Sequence, residues 1–373
     1  MRPRRSAPPV IVVGPVPPPA HGVAVATALT LASPLLRARF SLYHLDTSDR
    51  RGLGTIGRFD VANVALALLH TGRCWRLARR LRPVLVYLPL SQGPAGLLRD
   101  WALIGAARLA GARYVVHLHG GGYDRFFRAA APPVRRMLGD VLRGAEAAVV
   151  LGDSLVPMVT AIAPDARVAV VPNGAPAAIG DAERPRRGGD GPVRVLYLSG
   201  LRPSKGIFEL LEAAARLHGE GAPAAFVVAG AWDEEAERLR AERFVRERGL
   251  EGAVTFTGPV SGAAKAEAYR SADVFVLPSH AEGQPFVVLE ALSAWLPVVA
   301  SDTGVIPDMV RDGVNGYVVP PKDVDALTAR LRDLVADPAL RAAFGDESRR
   351  LYLERFSLEQ SQRLLADVFA AAT

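Results

Sequence analysis

The sequence contains a single cysteine, Cys74, among its 373 residues. One thiol cannot form an internal disulfide, and a zinc site built from several cysteines is excluded for the same reason. Cysteine usage of this kind is typical of a reducing compartment.

Long apolar segments are missing as well. No stretch reaches the ~18 uninterrupted apolar residues that a membrane-spanning helix needs. The longest candidate begins at Val61 and is followed by the basic stretch GRCWR. The basic N-terminal stretch MRPRRSAPP leads into prolines and a short strand, not into the apolar region of a signal peptide. We therefore expect a cytoplasmic protein, and contact with the inner face of a membrane stays open.

Composition favours a globular protein. Half of the residues are apolar and 22% are charged, and the length suffices for two domains. The formal net charge is +7, and nearly all of the basic excess is arginine. Such a charge suits a nucleotide, a nucleic acid or an anionic membrane surface, but a GC-rich genome would produce it equally well.

Short Val-rich runs alternate with helical patterns along the chain. The runs are VIVVG, VLVYLPL, RYVVHLHG, AAVVLG and RVAVVPNG, and later VRVLYLSG, AAFVVAG, VTFTG, DVFVLPS and PVVASD. Continuous apolar runs are typical of parallel strands that are buried on both faces. Strand, loop and helix repeated in this order predict doubly wound α/β sheets.

The alternation breaks once, in a stretch rich in Pro, Gly and charge over residues 175–192. We predict a first Rossmann-like domain over residues 1–178, a linker over 179–192 and a second such domain over 193–356. The last helix, residues 357–373, is expected to pack back onto the first domain. Two such domains facing each other across a cleft place a ligand at the carboxyl ends of their strands.

Two glutamates flank a Gly-x-Pro step in the stretch HAEGQPFVVLE. Glu282 follows the predicted strand DVFVLPS, and Glu290 lies in the first turns of the helix that Pro285 opens. A carboxylate that accepts two hydroxyl hydrogen bonds suits the vicinal diol of a ribose, which we assign to Glu290. Glu282 would meet a second polyol. The alternative is a capping acid plus a solvated helix glutamate.

Basic residues follow the strand VRVLYLSG. Arg202 and Lys205 lie three positions apart in the loop SGLRPSKG and can converge on a diphosphate. The alternative is a solvated basic loop.

Two histidines end the strand RYVVHLHG. His117 and His119 are two positions apart and therefore share a face. They suit a metal pair, but no further ligand cluster supports zinc. A histidine with a structural hydrogen bond is the other interpretation.

Three further features have weaker signals. The loop after the first strand has Gly14 and Gly22 but no G-x-G-x-x-G fingerprint, which disfavours a dehydrogenase. Asp323 and Asp325 precede a helix, so capping explains them better than metal binding. The stretch 73–83 predicts a basic amphipathic helix with Trp75, which either lies on anionic lipid or packs its Trp and Leu side chains inward.

These motifs together resemble those of retaining family 4 glycosyltransferases, which have the GT-B fold. The resemblance rests on E-G-x-P-x-x-x-x-E, on YLSGLRPSKGIFELLEAAARL (Tyr197–Leu217), on VVPNG (Val170–Gly174) and on VTFTG (Val254–Gly258). One departure is that Leu201, not an arginine, follows Gly200 directly.

The resemblance implies roles for individual residues. Arg202 and Lys205 would hold the nucleoside diphosphate and stabilise it as a leaving group without a metal, and His119 would touch the donor sugar or its phosphate. His21 and Gly22 would face the cleft. The donor would further contact Glu282, Gly283, Gln284, Pro285, Phe286 and Glu290, and the base would lie against Thr257, Gly258, Pro259 and Val260.

The sequence thus predicts a metal-independent hexosyltransferase without a cofactor. Its partners would be a UDP- or GDP-sugar donor and a sugar or lipid-linked acceptor in polysaccharide or glycolipid assembly, with peripheral membrane contact open and no nucleic acid. The alternatives are a sugar-nucleotide epimerase or hydrolase of the same fold and a non-catalytic scaffold with a decayed site.

Overall fold

The computed structural model describes residues 7–18, 21–48, 61–82, 85–120, 122–180 and 191–373, with the backbone alone at 61, 62 and 124. Its contacts divide the chain into two compact units. Unit 1 comprises Met1–Asn173 and Glu359–Thr373, and unit 2 comprises Gly174–Leu358. Most of the linker predicted at 179–192 lies outside the described residues.

Unit 1 is built on a six-stranded parallel sheet in the order β2-β1-β3-β4-β5-β6. Its strands are β1 (Pro9–Gly14), β2 (Ser41–Asp46), β3 (Leu85–Pro89), β4 (Arg113–Leu118), β5 (Ala147–Val150) and β6 (Val168–Val170). Its first seven helices are α1 (Gly22–Ala32), α2 (Pro34–Arg39), α3 (Val61–Leu81), α4 (Pro94–Leu109), α5 (Tyr123–Ala129), α6 (Pro132–Gly144) and α7 (Val156–Ile162). Proline opens α2, α4 and α6, where its missing N–H costs no helical hydrogen bond.

Unit 2 repeats the plan with the strand order β12-β11-β10-β7-β8-β9, again all parallel. Its strands are β7 (Val193–Leu198), β8 (Ala224–Ala229), β9 (Val254–Gly258), β10 (Val274–Leu277), β11 (Val298–Ser301) and β12 (Gly316–Val319). Its helices are α8 (Ile207–Gly219), α9 (Glu235–Glu247), α10 (Gly262–Ser271), α11 (Phe286–Ser293), α12 (Ile306–Met309), α13 (Val324–Ala336) and α14 (Pro338–Leu351).

The two parallel sheets confirm the predicted doubly wound α/β class. Two strands, β2 and β12, were not expected from the sequence. Both lie at sheet edges. β2 (SLYHLD) is mostly half-buried or exposed and lacks the continuous apolar pattern of a central strand, whereas β12 (GYVV) is a short apolar run that the prediction missed.

The final helix, α15 (Leu358–Ala371), completes the core of unit 1. Phe369 is fully buried, and its ring centroid lies 5.6 Å from that of Phe40 and 5.3 Å from that of Tyr87. Ser361 Oγ donates a hydrogen bond to the carbonyl oxygen of Pro172 at 2.7 Å. The end of the chain therefore supports the layer below β1 and β3.

Residues 73–81 of the predicted basic helix form the end of α3, but the inward interpretation of its tryptophan is wrong. Trp75 is 42% exposed, and the Arg79 guanidinium lies 5.3 Å from its ring centroid. Cys74 is the side chain that points inward, and burial raises the pKa of its thiol to about 11. Within the described part of the chain, no helix combines the length and the apolar content required to cross a membrane.

We predict that Phe369→Ala lowers the free energy of unfolding by about 3–5 kcal/mol, because it leaves a cavity against Phe40 and Tyr87. Denaturant unfolding measures the change. Leu109→Ala, at a side chain that is 83% exposed, is the matched control and should change stability by less than about 0.5 kcal/mol. Equal effects of the two substitutions would contradict the place of α15 in the core.

Candidate functional site

The strand order of unit 2 reverses between β7 and β10. From β7 the chain continues through β8 to β9 on one side, and from β10 it continues through β11 to β12 on the other. At such a point the connections after two neighbouring parallel strands lead to opposite sides of the sheet. They leave a crevice between them at the carboxyl ends of the strands, where open α/β sheets bind ligands. The loop after β7 carries Arg202 and Lys205, and the loop after β10 carries Glu282.

The two loops are fastened to each other through backbone atoms. The backbone N–H of His280 donates to the carbonyl oxygen of Ser204 at 3.0 Å. Gly206 has a left-handed backbone with φ of 77°, and a Cβ there would lie 2.0 Å from the carbonyl oxygen of Pro278. Only glycine fits this position, so the approach of the two loops fixes the backbone beside Lys205.

Lys205 and Glu282 form an ion pair across these loops. Lys205 Nζ lies 2.6 Å from Glu282 Oε1, and the side chains are 18% and 9% exposed. Little water reaches the carboxylate, so the lysine provides the charge that compensates its burial. The groups predicted to meet the diphosphate and the sugar are thus in direct contact.

The loop of Glu282 is also held from β11. The N–H of Val305 donates to the carbonyl oxygen of Gly283 at 3.0 Å. A Cβ at Gly304, where φ is 58°, would lie 2.3 Å from the carbonyl oxygen of Glu282. Nearby, the buried Thr303 Oγ1 has no hydrogen-bond partner among the described residues. The loop therefore has a rigid backbone next to an unused hydroxyl.

Glu290 has two partners from α10. Lys265 Nζ donates to Glu290 Oε1 at 2.6 Å, and the Tyr269 hydroxyl donates to Glu290 Oε2 at 2.8 Å. Tyr269 is fully buried, and burial, followed by the nearby Glu290 carboxylate, raises the pKa of its hydroxyl well above the ordinary value. Tyr269 therefore stays a hydrogen-bond donor, and both oxygens of Glu290 are fixed in place.

Lys265 and Tyr269 were missed in the sequence. A usable signal was present, because the chain has only three lysines, Lys205, Lys265 and Lys322, among 45 basic residues. Two of these three are the ion-pair partners of the two signature glutamates. A compact ammonium group, unlike a guanidinium fork, donates from three directions to more than one acceptor.

Arg202 forms an ion pair with a different carboxylate. Its Nη1 contacts Asp233 Oδ2 at 3.0 Å, and both side chains are about half exposed. The hydroxyl of Tyr197 is close enough to Glu282 and Arg202 to feel the charge of each. Burial is the main reason that its pKa is raised; the charge of Glu282 raises this pKa further, and the charge of Arg202 lowers it. The neighbouring Leu201 is fully buried. Arg202 and Lys205 thus share the loop, while their convergence on a diphosphate stays a prediction.

The remaining predicted donor residues follow Glu282 directly. Gln284 is buried, Pro285 occupies the N-cap position, and α11 begins at Phe286. The first N–H groups of this helix therefore lie next to the loop of Glu282. The positive end of the helix dipole faces the same way.

The predicted base-binding residues, Thr257, Gly258, Pro259 and Val260, lie at the carboxyl end of the edge strand β9. The carbonyl oxygen of Gly258 accepts a hydrogen bond from Gly230 N at 3.0 Å. A Cβ at Gly230 would lie 1.8 Å from the carbonyl oxygen of Ser199. The carboxyl ends of β7, β8 and β9 therefore pack closely through their backbones. The predicted base site lies at the same edge of the sheet as the loop of Lys205.

In unit 1, His117 and His119 lie at the end of β4 and share a face, as predicted. Their ring centroids are 3.9 Å apart, and His117 Nδ1 lies 2.6 Å from the Tyr87 hydroxyl. Burial lowers the pKa of His119 to about 4 and that of His117 well below its ordinary value, with the charge of His119 as a second cause for His117. Both rings are therefore neutral at pH 7. His117 Nε2 and His119 Nδ1 have no hydrogen-bond partner among the described residues.

The glycines at the other predicted site of unit 1 differ from each other. A Cβ at Gly14 would lie 2.8 Å from Thr27 Oγ1, whereas one at Gly22 would meet no atom within 4 Å. Packing therefore accounts for Gly14. Gly22 is the first residue of α1 after the N-cap His21, and no described residue packs closely enough there to require a glycine.

The predicted capping role holds for Asp323, whereas Asp325 lies within α13. Asp323 is the N-cap residue, and its side chain accepts a hydrogen bond from Ala326 N at 2.8 Å. Asp325 pairs with Arg216. In the part of the chain that the structure describes, no group of three or more His, Cys, Asp or Glu side chains is placed to hold a metal ion.

Comparison with known proteins matches residues 181–351 to the family model Glycosyl transferases group 1. The chain is 31% identical over 186 residues to the alpha-D-kanosaminyltransferase of Streptomyces kanamyceticus, covering 50% of this chain and 47% of the relative. It is 33% identical over 191 residues to the GDP-mannose-dependent alpha-(1-6)-phosphatidylinositol monomannoside mannosyltransferase of Mycolicibacterium smegmatis, covering 49% and 48%. The chain spans about half the length of these two curated relatives, and less of others.

Solved structures resemble the whole chain. Sucrose-phosphate synthase of Thermosynechococcus elongatus has a TM-score of 0.73 at 20% identity, covering 97% of this chain and 98% of its own. Anabaena HepE in complex with UDP has a TM-score of 0.72 at 17% identity, covering 97% and 99%. The fold is that of GT-B glycosyltransferases, which confirms the predicted architecture.

We predict that Tyr269→Phe lowers the free energy of unfolding by about 1–3 kcal/mol, because the half-buried Glu290 Oε2 loses the O–H group that donates to it. Tyr317→Phe is the matched control in the same unit, since no described residue is hydrogen-bonded to its hydroxyl. Denaturant unfolding compares the two. Indistinguishable variants would show that Tyr269 does not hold Glu290.

The lowered pKa values of His117 and His119 predict an acid sensitivity of folding. The pKa of His119 is about 4 in the folded chain against 6.5 for an ordinary histidine, so the unfolded chain binds a proton first as the pH falls. The free energy of unfolding should therefore decrease between pH 6.5 and 4, by up to about 1.4 kcal/mol per pH unit for each such histidine. His119→Asn should reduce this slope in urea titrations, while His218→Asn, at an exposed histidine, should leave it unchanged. A slope that His119→Asn does not alter would contradict the burial of this ring.

Proposed function

We propose that the chain, in which residues 181–351 match the family model Glycosyl transferases group 1, moves a hexose from a nucleoside-diphosphate sugar to an acceptor hydroxyl with retention of the anomeric configuration. The observation that carries this proposal is the pair of Lys–Glu contacts beside the switch point of unit 2. Lys205 binds Glu282 and Lys265 binds Glu290, each at 2.6 Å.

Lys205 would stabilise the departing diphosphate. Cleavage of the bond between the anomeric carbon and the phosphate oxygen leaves negative charge on that oxygen, and a cation held beside it lowers the barrier. The carboxylate of Glu282 already holds the ammonium group in place. Two further N–H bonds of Lys205 remain for phosphate oxygens.

Arg202 would add a second cation at little cost. Its contact with Asp233 is about half exposed, and exposed ion pairs of this kind contribute about 0–1 kcal/mol. A diphosphate that arrives beside the loop can therefore displace Asp233. With both cations engaged, the proposed reaction requires neither a metal ion nor a cofactor.

Glu290 would bind the ribose. An ionised carboxylate has about four lone-pair directions, and Lys265 and Tyr269 take one on each oxygen. One acceptor direction is left on each oxygen, which matches the 2′- and 3′-hydroxyls of a ribose. The base would then lie along the ends of β8 and β9, near Thr257–Val260.

The sugar would meet Glu282 and the backbone N–H groups of Gly283–Phe286. Glu282 retains acceptor capacity for sugar hydroxyls after its bond to Lys205. His119, neutral and with an unused Nδ1, is the group of unit 1 that we assign to the donor. The names of relatives that act on phosphatidylinositol monomannoside or on glycogen support an acceptor in glycolipid or polysaccharide assembly.

A donor panel tests the proposal. We predict that one UDP- or GDP-sugar raises the melting temperature, and that Glu290→Gln weakens its binding about tenfold to a hundredfold, since two hydroxyl bonds to a charged group are lost. Glu251→Gln, at an exposed glutamate, is the control.

A second arm uses the same donor in its 2′-deoxyribose form. If Glu290 binds the ribose, the ratio of the two affinities should approach one in Glu290→Gln. A variant that weakens both donors equally would remove Glu290 from the ribose. Failure of every donor to bind would reject the glycosyltransferase proposal itself.

A further inference from the structure

Helices α3 and α4 form one outer layer of unit 1. The chain moves in the same direction along the sheet when it passes from β2 to β3 and from β3 to β4. Right-handed crossovers therefore place both helices on the same face of the sheet. They pack against each other, with Cys74 of α3 lying against the backbone of Leu103 in α4. Their solvent-facing sides thus belong to a common surface, here called the α3–α4 face.

The α3–α4 face collects most of the exposed apolar side chains of the described residues. Eleven large apolar side chains are exposed among the described residues, and seven of them lie on α3 and α4. They are Val64, Leu68, Leu69, Trp75, Leu98, Trp101 and Leu109. Leu68 is 70% exposed and Leu109 is 83% exposed. Single exposed apolar residues are ordinary, but such a concentration on one layer marks a contact surface.

Among the described residues, the exposed charges of the same face are positive. Arg73, Arg76, Arg79 and Arg80 are exposed on α3, and the sequence of this helix contains no acidic residue. The sole acid of α4, Asp100, is buried and bound by Arg99 Nη2 at 2.7 Å. No described carboxylate forms an ion pair with the four arginines of α3.

Other helices of the chain treat their arginines differently. On α9, Arg238 pairs with Glu235 and Glu242, and on α14, Arg350 pairs with Glu347 at 2.7 Å. On α15, Arg363 pairs with Glu359 at 2.7 Å. Among the described residues, α3 thus differs from these three helices because it has no carboxylate of its own with which its arginines could pair.

The apolar and basic residues of α3 are arranged as in helices that lie at a lipid surface. Val64, Leu68 and Trp75 are spaced i, i+4 and i+11, which places them along one stripe, and arginines flank that stripe. Tryptophan favours the boundary between headgroups and acyl chains. Basic side chains beside it can reach lipid phosphates.

We propose that the α3–α4 face binds the surface of a membrane that contains anionic lipids. A nucleic acid or another polyanion would satisfy the arginines but would leave Leu68, Trp101 and Leu109 in water. A lipid surface accommodates both sets, since the apolar side chains enter the headgroup region while the arginines contact phosphates. The inference goes beyond the donor site and concerns unit 1 alone.

Vesicle co-sedimentation of the full chain tests the proposal without any sugar donor. We expect binding to vesicles of phosphatidylcholine with phosphatidylglycerol, weaker binding at high salt, and little binding to phosphatidylcholine alone. Each basic residue near an anionic surface contributes about fivefold, so the triple variant Arg73→Gln, Arg76→Gln, Arg80→Gln should bind on the order of 100-fold more weakly. The triple variant Arg238→Gln, Arg350→Gln, Arg363→Gln removes the same charge from other helices and should bind like the unaltered chain.

Tryptophan fluorescence provides a second readout that does not depend on charge removal. Anionic vesicles should shift the emission of the unaltered chain to shorter wavelength, and Trp75→Phe with Trp101→Phe should abolish that shift. If the two triple arginine variants lose vesicle binding equally, the binding depends on net charge alone and not on the α3–α4 face, and the proposal is overturned. An unshifted emission, or binding of duplex DNA as strong as that of vesicles, would overturn it as well. Because no donor is present, these outcomes are separate from the success or failure of the proposed transfer.

Discussion

The enclosed carboxylate of Glu282, and the lysine that compensates it, organise the candidate site. Removing a carboxylate from water is costly unless it has a charged or hydrogen-bonding partner, and Lys205 provides one at 2.6 Å for this side chain, which is 9% exposed. The contact joins the loop after β7 to the loop after β10, so the ion pair spans the switch point of the sheet. Removal of one partner from such a pair leaves an uncompensated charge, which typically costs about 3–5 kcal/mol. The two groups are therefore held ready beside each other.

The backbone around this pair has little freedom. The backbone of Gly206 lies against the carbonyl oxygen of Pro278, and the backbone of Gly304 lies against the carbonyl oxygen of Glu282. Glycine is required at both places because any side chain would collide with backbone atoms that have no room to move. The second pair, Lys265 with Glu290, has the buried Tyr269 as its fixed support. The two ion pairs are built alike, since each glutamate is held by a lysine that comes from a different structural element.

Much of this could be read from the sequence, and the failures have physical causes. Central strands were found because burial on both faces leaves continuous Val-rich runs, while the edge strand β2 (SLYHLD) has no such pattern. The edge strand β12 was missed although its four residues, GYVV, are apolar. Glu282 and Glu290 share one short segment, so their spacing indicated a site. Lys265 and Tyr269 lie 25 and 21 positions before Glu290, and only the packing of α10 against α11 brings them to it. Trp75 was ambiguous because its surroundings fit a buried and an exposed face equally well.

The most direct measurement of the central claim is a crystal structure of the chain with its preferred nucleoside diphosphate bound. The account predicts that Lys205 Nζ contacts a phosphate oxygen while its partner Glu282 stays in the crevice, and that both oxygens of Glu290 accept hydrogen bonds from the ribose. A nucleotide bound elsewhere on unit 2, with both Lys–Glu pairs unchanged and untouched by it, would contradict the account.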